Sequence, residues 1–148
     1  MVDKYYTPEI EEFHVGFECE QKLLEEGAEW KPIRIHCLEM ITHVSSCARV
    51  KYLDQEDIES LGFTEETDPE KAFCSQWGGS STLFYKKYYD ESRKKELYHW
   101  IRCSGSYDGS FQPGDKGVFM MMSQDFRGWV KNKSELKRVL KQIGYGEL

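Results

Sequence analysis

The fold is decided by residues 126–145, FRGWVKNKSELKRVLKQIGY, in which a short aromatic strand runs into a helix that carries both of its end signals. Asn132 stands where an N-cap is wanted, with Glu135 three residues later as its reciprocal partner. Gly144 follows the last apolar residue, at the position where a left-handed residue ends a helix. The pattern predicts a strand over 126–130 and a helix that begins after Asn132.

The apolar residues of this helix form a single stripe. They follow the spacing i, i+3, i+4, i+7 that places side chains on one helix face, and they are Leu136, Val139, Leu140 and Ile143. Such a stripe is buried when the helix packs against another element. We therefore expect the helix to lie on a sheet that contains residues 126–130.

The rest of the chain is mostly strand pattern. Strands are predicted over 13–20, 30–37, 49–53, 82–89, 97–103 and 118–123, and residues 38–48 fit either a strand or a loop. The segments 82–89 and 97–103 flank a charged turn and predict a hairpin. A second, two-turn helix is predicted from the N-cap Asp54 to Gly62. The fold class is α+β: a mostly antiparallel sheet of about five or six strands with two helices, the longer one C-terminal.

Composition bounds the class of protein. The 148 residues have the length of one ordinary domain, so we predict a single domain over 1–148. Charged residues make up 31%, but the aromatic content of 14% is far above that of a disordered chain. The net charge of −6 argues against sequence-independent binding of nucleic acid, which needs a basic face. The oligomeric state does not follow from the sequence.

The cysteines and the N-terminal sequence predict a compartment. The five cysteines are odd in number and widely spaced, and residues 1–13 contain no apolar segment of the kind that directs secretion. Reduced thiols in the cytoplasm are the simplest interpretation. No run of residues approaches the ~18 apolar residues of a membrane-spanning helix, so no membrane partner is expected.

The predicted hairpin carries the best candidate binding site. Aromatic rings and cations alternate along its strands, an arrangement that can stack on a nucleotide and neutralise its charge, but that also occurs as cross-strand pairs in an ordinary sheet. The candidate ligand-binding residues are Trp77, Tyr85, Lys86, Tyr89, Trp100 and Arg102. Trp77 belongs to the glycine turn QWGGSST, and residues 104–117 would form the rim of the site.

Three other groups of residues are weaker candidates for a site. His14, Glu18 and Glu20 share the polar face of the first predicted strand and could bind a divalent metal ion, although any solvated sheet face looks alike. His36, Cys37, His43 and Cys47 are zinc-ligand types at poor spacing. Cys103 and His99 would share a strand face about 13 Å apart, which favours packing over catalysis. We therefore expect no catalytic residue, metal ion or cofactor.

Three stretches resemble short uncharacterised proteins of gut Bacteroidales and their tailed phages. They are TPEIEEFHVGFECE, RVKYLDQEDIESLGF and FRGWVKNKSELKRVLKQIG, and together they cover about a third of the chain. The resemblance implies an intracellular and phage-borne setting, and it implies no activity, cofactor or catalytic residue.

These observations favour a non-catalytic intracellular binding protein. Its expected partner is either a small anionic, nucleotide-like ligand or a host protein, and a phage accessory protein that sequesters such a partner is consistent with the setting. Two alternatives remain open: a small metal-assisted hydrolase built on His14, Glu18 and Glu20, and a structural or assembly protein.

Overall fold

The structure is a computed structural model that describes residues 4–68, 81–104, 117–122 and 126–145. The chain divides into two compact units, Met1–Tyr52 and Leu53–Leu148, each with its own sheet. The described residues form nine strands in two antiparallel sheets and three α-helices, the longest of them C-terminal. The α+β fold class is thus confirmed. That the whole chain forms one domain stays a prediction.

The first unit contains a four-stranded sheet and one helix. Its elements are β1 (Tyr5–Tyr6), β2 (Glu18–Gln21), β3 (Lys31–Arg34), α1 (Leu38–Val44) and β4 (Ala48–Lys51), with a 3₁₀ turn at Ile10–Glu12. The strands are antiparallel in the order β1-β4-β2-β3. Pro32 lies in the edge strand β3, where its missing amide proton costs no ladder hydrogen bond.

An arginine ties several strands of this unit together. The Arg49 guanidinium on β4 lies 3.8 Å from the ring centre of Tyr5 on β1 and 4.4 Å from that of Trp30, which precedes β3. Its Nε donates to a Glu20 carboxylate oxygen on β2 at 2.9 Å. A cation between two rings and beside a carboxylate is stabilised by cation–π attraction and by an ion pair. Arg49 therefore links β1, β4 and β2 to the start of β3.

The second unit contains a five-stranded antiparallel sheet in the order β5-β6-β7-β8-β9. Its strands are β5 (Thr64–Glu65), β6 (Ser81–Asp90), β7 (Lys95–Ser104), β8 (Val118–Met122) and β9 (Phe126–Val130). Its helices are α2 (Gln55–Ser60) and α3 (Lys133–Gln142). The predicted hairpin is β6–β7, and its ten residue pairs run from Ser81 opposite Ser104 to Asp90 opposite Lys95.

Side chains alternate between two faces of this sheet. On the core face the buried residues Phe84, Ile101, Met120 and Val130 pack against the helices. The opposite face, which we call the outer face, carries the residues in between. They are Leu83, Tyr85, Lys87 and Tyr89 of β6, Glu96, Tyr98, Trp100 and Arg102 of β7, Phe119 and Met121 of β8, and Arg127 and Trp129 of β9.

The helix ends follow the predicted capping chemistry. The Asp54 carboxylate accepts from the Asp57 amide, and the Asp57 carboxylate accepts from the Asp54 amide in return. In α3 the Asn132 carboxamide oxygen accepts from the Glu135 amide at 2.9 Å. The Glu135 carboxylate, however, accepts from the Lys131 amide instead of closing the box on Asn132. Gly144 ends the helix with φ +80°, as predicted.

The structure departs from two local predictions. Residues 38–48 were predicted to form a strand or a loop, but Leu38–Val44 forms helix α1. Met40, Ile41 and Val44 pack on the core of the first unit at a helical spacing. The β-branched residues Ile41, Thr42 and Val44 obscure it in the sequence, because such residues favour strands. The strand predicted over 13–20 begins only at Glu18, because Gly16, with φ +94°, turns the chain just before it.

None of the helices among the described residues is long and apolar enough to cross a membrane.

Truncation of Leu140 tests the burial of α3. Leu140 is completely buried in the core of the second unit, so Leu140→Ala should lower the free energy of unfolding by about 2–5 kcal/mol. Lys141 is exposed on the same helix, and Lys141→Ala is the matched control that should change the urea midpoint little. Equal midpoints for the two variants would contradict the placement of Leu140.

Substitution of Gly117 tests how closely the chain just before β8 approaches the end of β9. Gly117 has φ +89°, and a Cβ atom there would collide with the carbonyl oxygen of Val130. Gly117→Ala should therefore lower the free energy of unfolding by more than the about 1 kcal/mol of an ordinary glycine replacement at positive φ. Gly144→Ala is the control, since Gly144 has φ +80° with open space around it. A loss of stability no larger than that control would argue against the collision.

Candidate functional site

A pocket of about 410 Å³ opens on the outer face of the second unit. Its lining residues come from β6, β7 and the chain just after β5, and they are Glu66, Leu83, Tyr85, Tyr98, Trp100 and Arg102. Pockets of roughly 300–1,000 Å³ lined by aromatic side chains with few polar groups are typical of small-molecule sites. The pocket is therefore the candidate functional site.

The hairpin register brings the rings of the pocket together. Tyr85 lies directly opposite Trp100, so their side chains leave the same face of neighbouring strands. The Tyr98 ring meets the Tyr85 ring edge to face, with 5.8 Å between the ring centres. Edge-to-face contact is one of the favoured geometries of an aromatic pair, so it stabilises the observed orientation of the two tyrosines. The three rings form an aromatic wall around the pocket.

Charged groups lie at one end of this wall. Leu83 pairs with Arg102 across the hairpin, and the Glu66 amide donates to the Leu83 carbonyl at 2.7 Å. The three residues therefore form one row across the sheet, with a carboxylate on one side and a guanidinium on the other. The Arg102 guanidinium lies 6.0 Å from the Trp100 ring centre, within cation–π range. One Glu66 carboxylate oxygen accepts from the Asp68 amide at 3.1 Å, which orients the carboxylate.

The structure brings together three of the six predicted ligand-binding residues: Tyr85, Trp100 and Arg102. Tyr89 lies on the same face, opposite Glu96 and nearer the hairpin turn, and does not line the pocket. Trp77 and most of the predicted rim 104–117 lie outside the described residues.

Lys86 is on the wrong face for this site. It follows Tyr85 in an extended strand, so its side chain points to the core face, where Nζ donates to the Leu61 carbonyl at 3.2 Å. Its neighbour Lys87 is the lysine of the outer face, and it pairs with Glu96 at 3.0 Å. Adjacent residues of an extended strand face opposite ways, so of these two lysines only Lys87 lies on the face of the pocket.

Sequence reasoning missed Leu83, Tyr98 and Glu66 as pocket residues. Tyr98 had a readable signal, because positions 98, 100 and 102 share one face of a strand. Leu83 likewise shares a face with Tyr85. Glu66 had no such signal in the sequence, because it falls in an acidic connecting segment. It reaches the pocket only because β5 pairs with β6.

The metal candidates of the first unit are dispersed. His14 precedes the turn at Gly16, so it does not share a strand face with Glu18 and Glu20 of β2. The Glu20 carboxylate instead pairs with Arg49. Cys37 caps α1, and the Cys47 thiol contacts the His43 carbonyl. Within residues 4–68, 81–104, 117–122 and 126–145, no three His, Cys, Asp or Glu side chains are grouped to hold a metal ion.

The cysteines of the described segments are free thiols, and they are Cys19, Cys37, Cys47 and Cys103. Cys103 is completely buried in the core of the second unit, and this burial raises the pKa of its thiol. A thiol that cannot ionise is a poor nucleophile. Cys103 is therefore a packing residue. Cys74 lies outside the described residues.

No protein-family model matches this chain, and no curated protein or solved structure matches it either, so the geometry of the pocket is the basis for its function.

Directly behind the pocket, His99 is held between two tyrosine rings on the core face. Its ring stacks on Tyr88, with 3.9 Å between centres and 4° between planes, and on Tyr145 at 4.2 Å. The Tyr145 hydroxyl donates to the backbone oxygen of Trp100 at 3.1 Å, so this stack supports the strand that carries the pocket's tryptophan. Burial, together with the nearby Lys86 ammonium, lowers the pKa of His99.

The His99 stack should make stability depend on pH. Because the folded pKa lies below the unfolded value of about 6.5, the stabilisation is complete above that value. As the pH falls below about 6.5, the unfolded chain takes up a proton that the folded protein resists, and stability is lost. Urea midpoints measured between pH 7.5 and 5.5 should therefore fall in the wild type and fall less in His99→Gln. His36→Gln, which removes an exposed imidazole, is the control variant. A slope in His99→Gln equal to that of the wild type would contradict this assignment.

Proposed function

We propose that the protein is a non-catalytic binding protein whose pocket on the second unit takes a small anionic ligand with a planar ring, such as a nucleotide. The observation that carries the proposal is the convergence of Tyr85, Tyr98 and Trp100 with the Arg102 guanidinium around one pocket of about 410 Å³. The rings supply flat apolar surface, and the guanidinium supplies a positive charge with several hydrogen-bond donors.

Each part of a nucleotide has a matching group in the pocket. A base stacked on an aromatic side chain gains about 1–3 kcal/mol, whichever base it is. Arg102 can form paired hydrogen bonds with a phosphate, the geometry for which arginine is best suited. The Glu66 carboxylate accepts hydrogen bonds only, so it suits an amino group of the base or a ribose hydroxyl. A ligand that is both aromatic and anionic therefore uses both ends of the pocket.

The charge balance favours a small ligand over a long nucleic acid. The net charge of −6 repels a polyanion, and Glu66 lies across the same row as Arg102. One or a few phosphates can be neutralised locally by a guanidinium, but a long strand needs an extended basic face. In the intracellular, phage-borne setting that the sequence resemblance implies, the proposed role is sequestration of such a nucleotide.

The second candidate function is binding of a host protein. Tyr89 and Tyr98 are 54% and 56% exposed on the outer face, and exposed tyrosines are enriched at protein interfaces. The pocket favours the small ligand, because a concave site with a cation at one end suits a compact anion. A protein partner would instead engage the exposed rings together.

Binding of nucleoside monophosphates tests the proposal. Calorimetric titration at low salt should detect binding, and ligand at 100 times its dissociation constant should add about 2.7 kcal/mol to the free energy of unfolding. Trp100→Ala should weaken binding by about 1–3 kcal/mol through loss of stacking. Arg102→Gln should weaken it and flatten its salt dependence, because a phosphate contact is lost.

Two matched variants serve as controls for this titration. Tyr89→Ala removes a ring and Lys87→Gln removes a cation from the same face, but neither residue lines the pocket, so both should bind as the wild type does. The unliganded melting temperature of every variant checks that it folds. If neither a nucleoside monophosphate nor a dinucleotide shifts the wild-type melting temperature, the small-ligand proposal is wrong and the protein-partner function takes its place.

A further inference from the structure

The outer face carries a second aromatic cluster, away from the pocket, on β8 and β9. Phe119 and Trp129 are paired across these strands, and their rings meet at 69° with 5.4 Å between centres. The Arg127 guanidinium lies 6.0 Å from the Phe119 ring centre. Trp129 is 50% exposed, which is unusual for the largest apolar side chain. This cluster repeats the chemistry of the pocket: two rings beside a guanidinium.

The strand register puts the two arginines in one row across the sheet. Arg102 on β7 lies opposite Met121 on β8, and Met121 lies opposite Arg127 on β9. The arginine positions are therefore two strands apart, with about 10 Å between their backbones. Both side chains leave the outer face.

The two aromatic clusters lie on opposite sides of this arginine row. Trp100 is two residues from Arg102 in one direction along the strands, and Trp129 is two residues from Arg127 in the other direction. Four residues along the strand and two strands across it separate the Trp100 and Trp129 positions by about 16 Å. The outer face thus presents ring, cation, cation and ring in succession along a diagonal.

We infer that the ligand of the outer face contains two bases joined through phosphate, with one base in the pocket, the second on Trp129, and the phosphates over the row of Arg102 and Arg127. This inference rests on the proposed function and specifies its ligand class. A single nucleotide would use only the pocket and would leave the second cluster unused. Because the backbone positions of the two tryptophans lie about 16 Å apart, whereas neighbouring bases in a strand stack about 3.4 Å apart, the bound bases are splayed.

The sheet face is suited to such a ligand for electrostatic reasons. Phosphates between two bases carry their charge in the middle of the molecule, and the two arginine positions lie on either side of the middle of the diagonal. Exposed rings at both ends give stacking surface that does not depend on base identity. The ligand chemistry is shared by linear dinucleotides and by cyclic dinucleotides, which the test distinguishes.

The test compares one-base and two-base ligands on the full chain. Calorimetric titration would use AMP, the linear dinucleotide pApA and cyclic di-AMP, with wild type, Trp129→Ala, Arg127→Gln and Trp100→Ala. We expect Trp129→Ala to weaken binding of a two-base ligand about 5- to 150-fold and to leave AMP binding unchanged. Trp100→Ala should weaken binding of all three ligands. Arg127→Gln should weaken only two-base ligands.

The controls separate this inference from the function on which it rests. Tyr89→Ala removes an exposed ring that lies off the diagonal, and it should leave all three affinities unchanged. Should Trp129→Ala fold poorly, Trp129→Leu keeps apolar volume without the indole and gives the same expectation. Dependence on Trp129 for pApA or for cyclic di-AMP identifies the source that binds and supports the inference in either case.

Two results would overturn the inference, and only the second would also overturn the proposed function. If AMP binds in the pocket and neither two-base ligand depends on Trp129, the two-base ligand is wrong while the proposed function stands. If neither AMP nor a two-base ligand binds the wild type, the proposed function is wrong and the inference falls with it.

Discussion

The ten-pair ladder between β6 and β7 is the constraint on which the second unit depends. It sets Phe84 opposite Ile101 in the core and Tyr85 opposite Trp100 on the outer face, so one register decides both the packing and the pocket. A slip of β6 by one residue would turn the core side chains of that strand outward and bury Tyr85 in place of Phe84. Burial of the core pairs therefore stabilises this register, and the register positions the residues of the candidate site.

The C-terminal helix reinforces this strand pair from behind. The Tyr145 amide donates to the Leu140 carbonyl across Gly144, which closes the end of α3 and turns Tyr145 back over the sheet. There its ring covers His99 and its hydroxyl reaches the backbone of Trp100. A helix-capping motif thus supports a residue of the pocket from the opposite face of the sheet. Rigid support of this kind lets a surface site keep its geometry.

The sequence predicts features that depend on neighbouring residues, such as helix ends. The arrangement of the strands depends on pairing between distant segments. The caps at Asp54 and Asn132 and the stop at Gly144 are short patterns with one structural solution, and all three are confirmed. The α+β class follows from the same patterns. The division into two sheets depends on which strands pair, and periodicity alone does not encode that.

The residues of the candidate site likewise fall into those that the sequence predicts and those that it does not. Tyr85, Trp100 and Arg102 could be predicted, because alternation places them on one face of a hairpin whose turn is visible in the sequence. Lys86, a predicted binding residue, lies on the core face, because it follows Tyr85 directly in an extended strand. Glu66 could not be predicted at all, because it reaches the pocket through the pairing of β5 with β6, which no local pattern announces.

Because side chains alternate between the two faces of the hairpin, the residues that stabilise its fold and the residues of its candidate site can change independently in evolution. Residues of the core face, such as Phe84 and Ile101, are completely buried and constrained by the volume around them, so changes there alter folding first. Tyr85 and Trp100 of the outer face keep part of their surface in solvent, so replacements there alter the candidate site at little cost to the core. Descendants of such a protein can diverge on the outer face by changing every second residue of two strands, while the scaffold that presents those residues stays the same.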